Sequence, residues 1–281
     1  RWWIQTPAKT RNRLPSSQIR VAGKAAARSM FFLPISDDNP TRHRPWISYV
    51  ILGLCLCVFY WQISLGAAQQ AAIFGYGMVP ARLFGAPLDA SIPNPVSGWT
   101  TLFTSMFMHG GLMHLGGNML YLWIFSDNVE DSIGRGRFII FYLLCGVCAA
   151  FAQALTDPSS PVPMVGASGA IAGVLGAYLL LHPRANIRCI VGILIFFRVM
   201  NVPAFLVLGG WIMLQFTNLG QVGSNVAYVA HIGGFIAGMV LIPFFKQPHV
   251  RLFEPAHSKA FSVSRVNVSP AHIPNVTRRK K

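Results

Sequence analysis

The sequence predicts an all-α fold, a polytopic membrane protein built as a bundle of six transmembrane helices. Of the 281 residues, 53% are hydrophobic and 11% are charged, whereas roughly a quarter of the residues in a soluble domain are charged. Six stretches reach or approach the ~20 apolar residues that a membrane helix needs. The net charge of +15 comes almost entirely from the two ends of the chain.

The six predicted spans differ in regularity. The second, fourth and fifth carry glycines, histidines or short apolar runs, which a membrane helix tolerates where it faces protein. Residues 67–99 are too long and too apolar for a simple linker and predict a structured loop in the outer interface. Residues 189–197, bracketed by Arg188 and Arg198, predict an interfacial segment, since a seventh span would put the two tails on opposite sides. The spans cover about residues 46–66, 106–125, 138–155, 166–181, 202–216 and 226–245.

The charge distribution divides the chain into three parts and predicts its orientation. Residues 1–45 hold 9 basic and 2 acidic side chains, and residues 246–281 hold 8 basic and 1 acidic, which leaves 6 basic and 5 acidic for 46–245. By the positive-inside rule, both tails are cytoplasmic. The loops that carry Arg135, Arg137 and Arg184 agree with this. We expect a basic N-terminal tail, a six-helix domain and a disordered C-terminal tail in a bacterial inner membrane. Basic tails beside apolar spans favour lipid over nucleic acid as a partner.

The N-terminal segment has two interpretations. Residues 1–29 are rich in Arg and Ser and contain no acid. They fit an organelle transit segment, or upstream sequence translated before a start at Met30. We favour the second interpretation, because Met30 opens a short hydrophobic and acidic lead into the first span.

The cysteines predict neither a disulfide framework nor a metal site. All five lie in or beside apolar stretches, so they do not resemble the framework of a secreted domain. Cys145 and Cys148 have CxxC spacing, but we interpret them as small buried hydrophobes.

Polar side chains inside the spans are candidates for a functional site, because ionisable groups are costly in a bilayer. They are His109, His114, Asn118 and His231. His114 and Asn118 are four residues apart and project from one helix face. Interhelical hydrogen bonds that only stabilise the bundle are the alternative interpretation.

A serine at the start of the fourth span adds a possible nucleophile. Ser168 lies in the run Gly166-Ala167-Ser168-Gly169, and the sixth span carries Ala230-His231-Ile232-Gly233-Gly234. Gly169 with Gly173, and Gly234 with Gly238, form small-xxx-small pairs, which let helices approach closely. Both spans descend from the outer face. Ser168 and His231 therefore lie within ~5 Å of the same depth, at 1.5 Å per residue.

Together these motifs resemble the rhomboid intramembrane serine proteases. The resemblance covers residues 46–245, and Glu130 with Gly134 also fits the family pattern. It implies that Ser168 is the nucleophile, that His231 is the general base, and that neither a metal nor a cofactor takes part. It further implies that the backbone N–H of Ser168 stabilises the oxyanion with His114 and Asn118. Gly166, Gly169, His109 and Gly234 are expected to support the site. The motifs are His109-xxxx-His114-xxx-Asn118, Gly166-x-Ser168-Gly169 and Ala230-His231-xx-Gly234.

The resemblance also implies a substrate class, with two departures from the family pattern. The expected substrate is another membrane protein, a single-pass helix that unwinds near the outer interface. Many relatives carry a Trp-Arg pair in the outer loop, whereas residues 67–99 contain none. Some relatives place a Tyr one turn after the serine, where this chain has Ala172.

Two other functions compete with proteolysis. A non-catalytic relative that binds membrane clients would lack the Ser or the His, and both are present. A transporter or metal-binding protein could use His109, His114 and His231. The chain has no HExxH motif, and its polar groups cluster near one face rather than at the midplane.

Overall fold

The structure is a computed structural model, and it describes residues 30–89, 92–193, 196–221 and 226–261. The fold is mostly helical, with two 3-10 turns at Gly66–Ala68 and Ser105–Phe107. The helices are α1 Trp46–Ser64, α2 Gln69–Tyr76, α3 Pro80–Phe84, α4 Gly98–Thr104, α5 Leu112–Ile133, α6 Arg135–Ala154, α7 Ser168–Leu181, α8 Ala204–Thr217 and α9 Tyr228–Phe245.

Each predicted span overlaps one helix of the structure. By length and composition, α1, α6 and α9 are long and apolar enough to cross a membrane, and α7 and α8 are shorter apolar helices of 14 residues. Helix α5 has 22 residues but carries three acidic side chains near its C-terminal end. Large apolar side chains remain exposed around the bundle, as expected for a surface that contacts lipid. They include Leu54, Tyr60, Trp123, Leu214 and Val240.

The fold is mostly helical as predicted, but it is not all-α, because the described chain also contains a three-stranded antiparallel sheet. Its strands are β1 Met30–Asp37, β2 Asn186–Ile193 and β3 Phe196–Pro203, in the order β1-β2-β3. Residues 189–197, predicted as an interfacial segment, belong to the β2–β3 pair. Ile187 and Cys189 are buried while Arg188 between them is exposed. Alternation of buried and exposed side chains is typical of a β-strand. The prediction of an interfacial segment rested on apolar content, which does not reveal this alternation.

Helix α7 lies at the centre of the bundle and packs directly against α9. Every residue of α7 from Gly169 to Tyr178 is buried. The two helices run parallel, and their backbones touch where glycines face each other: a Cβ on Gly238 would overlap the backbone of Gly173. The small-xxx-small pairs therefore set the separation of these helices.

The strands meet the C-terminal segment at one end of the bundle, which we call the sheet end. The sequence predicted disorder for residues 246–261, but this segment packs against the bundle. The backbone N–H of Gln247 donates to the Ser132 carbonyl at 3.0 Å, and that of Phe253 donates to the Leu180 carbonyl at 2.8 Å. Residues 1–29 and 262–281, also predicted as tails, lie outside the described residues.

Two carboxyl groups stabilise the sheet end, the buried Glu130 and the partly buried Asp37. Glu130 of α5 accepts hydrogen bonds from the Ile47 N–H at 3.1 Å and from the N–H and Oγ of Ser48, both at 2.8 Å. It thus supplies the acceptor that the start of α1 lacks. Asp37 of β1 accepts a hydrogen bond from the Tyr178 hydroxyl at 2.6 Å. Burial raises the pKa of Asp37 to about 7.

Residues 67–89 and 92–104 form a folded layer at the opposite end, which we call the serine end because α7 begins there. Arg82 of α3 donates to the carbonyls of Phe74 and Gly75, each at 3.1 Å, and of Pro93 at 2.7 Å. Met78 forms a β-bridge with Met164, just before α7. These bonds give the long loop defined contacts although it contains no Trp-Arg pair.

Candidate active site

Ser168 is the first residue of α7 and lies half-buried at the serine end. No side chain caps this helix start, so the first-turn N–H groups have no acceptor on the helix itself. Gly166 precedes the helix with φ +131°, a conformation that favours glycine. Its N–H donates to the Ser105 carbonyl at 2.9 Å. The serine hydroxyl therefore stands beside free N–H donors and the positive end of the helix dipole.

His231 lies in the first turn of α9, half-buried against α8. Its Nδ1 is 2.8 Å from Oε1 of Gln215, whose Nε2 donates to the Trp211 carbonyl at 3.0 Å. The Trp211 ring lies beside the imidazole, with 5.7 Å between centroids and 36° between planes. A carbonyl oxygen at Nδ1 favours the tautomer that carries its proton there. The lone pair is then on Nε2.

The α7–α9 contact brings the neighbours of Ser168 and His231 together. A Cβ on Gly234 would overlap the Gly169 carbonyl oxygen. Gln153 of α6 accepts the Ala230 N–H at 3.2 Å and ties the start of α9 to a third helix. Ser168 and His231 therefore lie at the same end of one tight helix pair: Ser168 adjoins Gly169, and His231 lies about one turn before Gly234.

His114 and Asn118 of α5 lie against the turn that leads into Ser168. A Cβ on Gly166 would be 2.7 Å from Cε1 and Nε2 of His114 and 3.6 Å from Nδ2 of Asn118. The Gly110 N–H donates to His114 Nδ1 at 3.3 Å, which leaves the imidazole proton on Nε2. The Nδ2 group of Asn118 is buried without a hydrogen-bond partner among the described residues. Two side-chain donors thus converge beside Gly166.

His109 is fully buried and anchors the start of α5 to α1. Its backbone N–H donates to Gln62 Oε1 at 2.9 Å, and Gln62 Nε2 donates to the His109 carbonyl at 3.1 Å. Its ring meets that of His114 edge-on, at 5.3 Å between centroids. No group of three or more His, Cys, Asp or Glu within the described ranges is arranged to hold a metal ion.

Three glutamines and one tryptophan at the site were missed by the sequence analysis. Gln215 and Gln153 lie in predicted spans, where any strong hydrogen-bonding side chain is a candidate for a structural or functional role. Trp211 lies against the imidazole ring of His231. The sequence analysis considered only position 172 for an aromatic neighbour of the histidine, and this chain has Ala172 there. Gln62 could have been found in the same way as the other two glutamines, because it is a polar side chain within the apolar run of α1.

Comparisons with known proteins agree on one family. The family model of the Rhomboid domain matches residues 96–248. The chain is 29% identical over 198 residues to Rhomboid protease GluP of Bacillus subtilis, covering 69% of this chain and 34% of that protein. It is 30% identical over 198 residues to Rhomboid-like protein 11, chloroplastic, of Arabidopsis thaliana, covering 70% and 63%. RHOMBOID-like protein 5 of the same plant is 27% identical over 205 residues, covering 73% and 60%. The matches therefore span less than two thirds of the length of each of these relatives.

Proposed function

Because this chain belongs to the rhomboid family, we propose that it is an intramembrane serine endopeptidase with Ser168 as nucleophile and His231 as general base. The observation that carries the proposal is the α7–α9 contact. It packs Gly234 on the Gly169 carbonyl and so holds the serine and histidine ends of two helices side by side. The curated relatives named rhomboid proteases support the same activity.

The chemistry follows from the protonation of the imidazole. With Nδ1–H directed at Gln215 Oε1, Nε2 accepts the hydroxyl proton as Ser168 Oγ bonds to the substrate carbonyl carbon. His231 then gives that proton to the leaving nitrogen, the C–N bond breaks, and an acyl-enzyme forms. A water attacks the acyl carbon in the second half, with His231 again as base, and Ser168 recovers its proton. No Asp or Glu lies in α7, α8 or α9, so the proposed unit is a dyad.

Asn118 and His114 supply hydrogen bonds to the charge that develops during attack. The Nδ2 of Asn118, which has no hydrogen-bond partner within the described part of the chain, and the Nε2–H of His114 both lie against Gly166, two residues before the proposed nucleophile. Together with the Ser168 N–H, they form an oxyanion site. Losing one donor from such a site typically costs ~10²-fold or more in rate.

The proposed substrate is a transmembrane segment of another membrane protein. Helix α5 presents Leu112 and Met113, 72% and 91% exposed, next to His114. Such an apolar surface fits lipid or a substrate helix. A peptide carbonyl inside an intact helix is already hydrogen-bonded, so the segment must unwind where it is cut. Single-pass helices with small or helix-weakening residues near the outer interface meet this requirement.

We further propose that the sheet end faces the cytoplasm and the serine end faces outward in a bacterial inner membrane. Arg135, Arg184 and Lys246 lie at the sheet end, in agreement with the positive-inside rule. In intact cells, a membrane-impermeant maleimide should label Ser159→Cys but not Lys259→Cys in a cysteine-free background. Labelling of Lys259→Cys but not of Ser159→Cys would show the opposite orientation.

The catalytic proposal is tested by reconstitution with a synthetic single-span substrate. Cleavage should disappear in Ser168→Ala and in His231→Ala and should be insensitive to chelators. Ser126→Ala is a control, since that serine also lies in a helix of the bundle, but its hydroxyl donates to the Leu122 carbonyl of its own helix. A serine-reactive probe should label the wild type and not His231→Ala. Cleavage that survives Ser168→Ala rejects the dyad, and substrate binding without cleavage in the wild type favours a client-binding relative.

A further inference from the structure

We propose that Gln215 is the positioning residue of the dyad and that its side-chain carbonyl holds His231 in the Nδ1–H tautomer. This inference rests on the proposed function. In a Ser-His-Asp triad a carboxylate performs this task, and its loss costs roughly 10⁴-fold through the wrong tautomer. Here a neutral amide from α8 occupies the corresponding position, 2.8 Å from Nδ1.

The orientation of the amide follows from its second hydrogen bond. Nε2 of Gln215 donates to the Trp211 carbonyl one turn earlier at 3.0 Å. The reversed amide would set Oε1 against that carbonyl oxygen, two acceptors with no proton between them. The oxygen therefore faces the imidazole, and only a protonated Nδ1 complements it. Gln215 is 7% exposed, so water does not compete freely for this bond.

No charged group substitutes for the amide. Helices α7, α8 and α9 contain no Asp, Glu, Lys or Arg, and the charged residues of α6 are Arg135 and Arg137 at its far end. Within the described chain, His114 of α5 acts electrostatically on His231. Tyr228 lies one turn earlier on α9, and its hydroxyl bonds Gln221 Oε1 at 3.4 Å. Among the described residues, the Gln215 oxygen is thus the acceptor for the imidazole. Its bond becomes charge-assisted when His231 takes up the serine proton.

The contact also couples the dyad to the position of α8. Gln215 and Trp211 both belong to α8, whereas His231 belongs to α9 and Ser168 to α7. A shift of α8 away from α9 by more than about 1 Å would lengthen the 2.8 Å contact beyond hydrogen-bond range. The base is therefore correctly held only while α8 is packed on α9.

The pH dependence of kcat/KM tests the role of Gln215. Gln215→Met keeps the length of the side chain but removes the oxygen that accepts from His231 Nδ1. Activity should fall by about 10²-fold, and the acidic limb of the pH profile should move to lower pH. Gln215→Glu restores an acceptor and adds negative charge, so activity should recover relative to Gln215→Met and the limb should move to higher pH. Gln153→Met is the matched control, because that glutamine bonds the Ala230 N–H and not the imidazole. In Gln153→Met, the acidic limb of the pH profile should lie at the same pH as in the wild type.

A second readout does not depend on activity. In ¹⁵N-labelled protein, with the His231 signals assigned by His231→Ala, the neutral imidazole should be protonated at Nδ1 in the wild type. It should be a mixture of tautomers in Gln215→Met. A wild type protonated at Nε2, or a Gln215→Met variant with unchanged tautomer and limb, overturns the inference. Absence of Ser168-dependent cleavage in the wild type would instead reject the proposed function, while the NMR result would still test the tautomer.

Discussion

The contact between α7 and α9 predicts that Gly234→Ala separates the two halves of the dyad. The new Cβ would overlap the Gly169 carbonyl oxygen and lie 3.0 Å from its carbonyl carbon and 3.3 Å from the Ala149 Cβ. The overlapping oxygen belongs to the backbone of a buried helix, so no side-chain rotation relieves the clash. The helices themselves must move apart.

The size of that movement follows from ordinary contact distances. Carbon atoms pack at about 3.5–4.0 Å, so the Gly169 carbonyl carbon, 3.0 Å away, requires a shift of at least roughly 0.5–1 Å. The overlapping carbonyl oxygen is closer still, so the full shift is ~1 Å or more. Overpacking of this kind costs about 1–3 kcal/mol, partly offset by the ~1 kcal/mol that alanine gains over glycine in a helix. A misplacement of ~1 Å in reacting groups costs about 10²-fold in rate. Activity should therefore fall much further than stability.

Melting in detergent and substrate cleavage in liposomes measure the two effects on the same preparations. Gly53→Ala in α1 is the matched control, since a Cβ there meets nothing within 4 Å. The control should melt at the same temperature or higher and cleave at the wild-type rate. If Gly234→Ala matches Gly53→Ala in both measurements, the helices do not touch at this glycine, and the proposed dyad loses its main support.

Three further outcomes are expected. Glu130→Ala should lower stability by about 3 kcal/mol, because it removes a buried carboxylate that accepts three hydrogen bonds. Ser48→Ala removes only one of these bonds and should cost ~1 kcal/mol. Equal melting temperatures of the two variants would contradict the capping role of Glu130. The pKa of Asp37 is raised from 3.8 to about 7, so the folded state holds a proton that the unfolded state releases. The contribution of Asp37 to stability should thus be lost between pH 4 and 7, on the order of 4 kcal/mol at 1.36 kcal/mol per pKa unit. The slope should therefore be smaller in Asp37→Asn, and a slope as steep as that of the wild type would refute this. Gly166→Ala, at φ +131° and 2.7 Å from the His114 ring, should reduce cleavage by about 10²-fold, and wild-type rates would show that His114 is remote from the reaction.

Hydropathy predicted a mostly helical fold, and three of the six predicted spans correspond to helices long and apolar enough to cross a bilayer, namely α1, α6 and α9. The sheet was not predicted, because β1 pairs with a hairpin more than 150 residues later, and such a partner is invisible to a local pattern. The interaction of residues 246–261 was missed for a related reason. That segment contributes backbone groups and single polar side chains such as Gln247, and its own composition predicts no packing.

The polar motifs of the candidate site were predictable because costly groups stand out in apolar spans. Spacing put His114 and Asn118 on one face, and the structure puts both beside Gly166. The partner of His231 was not predictable. Gln215 is sixteen residues away on another helix, and only the crossing of α8 and α9 brings its oxygen to Nδ1.

The two ends of the bundle use different polar side chains as hydrogen-bond partners, and the difference follows the depth in the bilayer that we expect for each end. At the serine end, Gln62, Gln153 and Gln215 bind a histidine or the residue beside one, and all three are neutral. At the sheet end, the partners are carboxyl groups, as at Glu130 and Asp37. A carboxylate pays a large desolvation cost deep in an apolar bundle, whereas an amide offers the same carbonyl geometry without a charge. In its proposed positioning role, Gln215 therefore stabilises the imidazolium less than a carboxylate would, but it places no charge in α8.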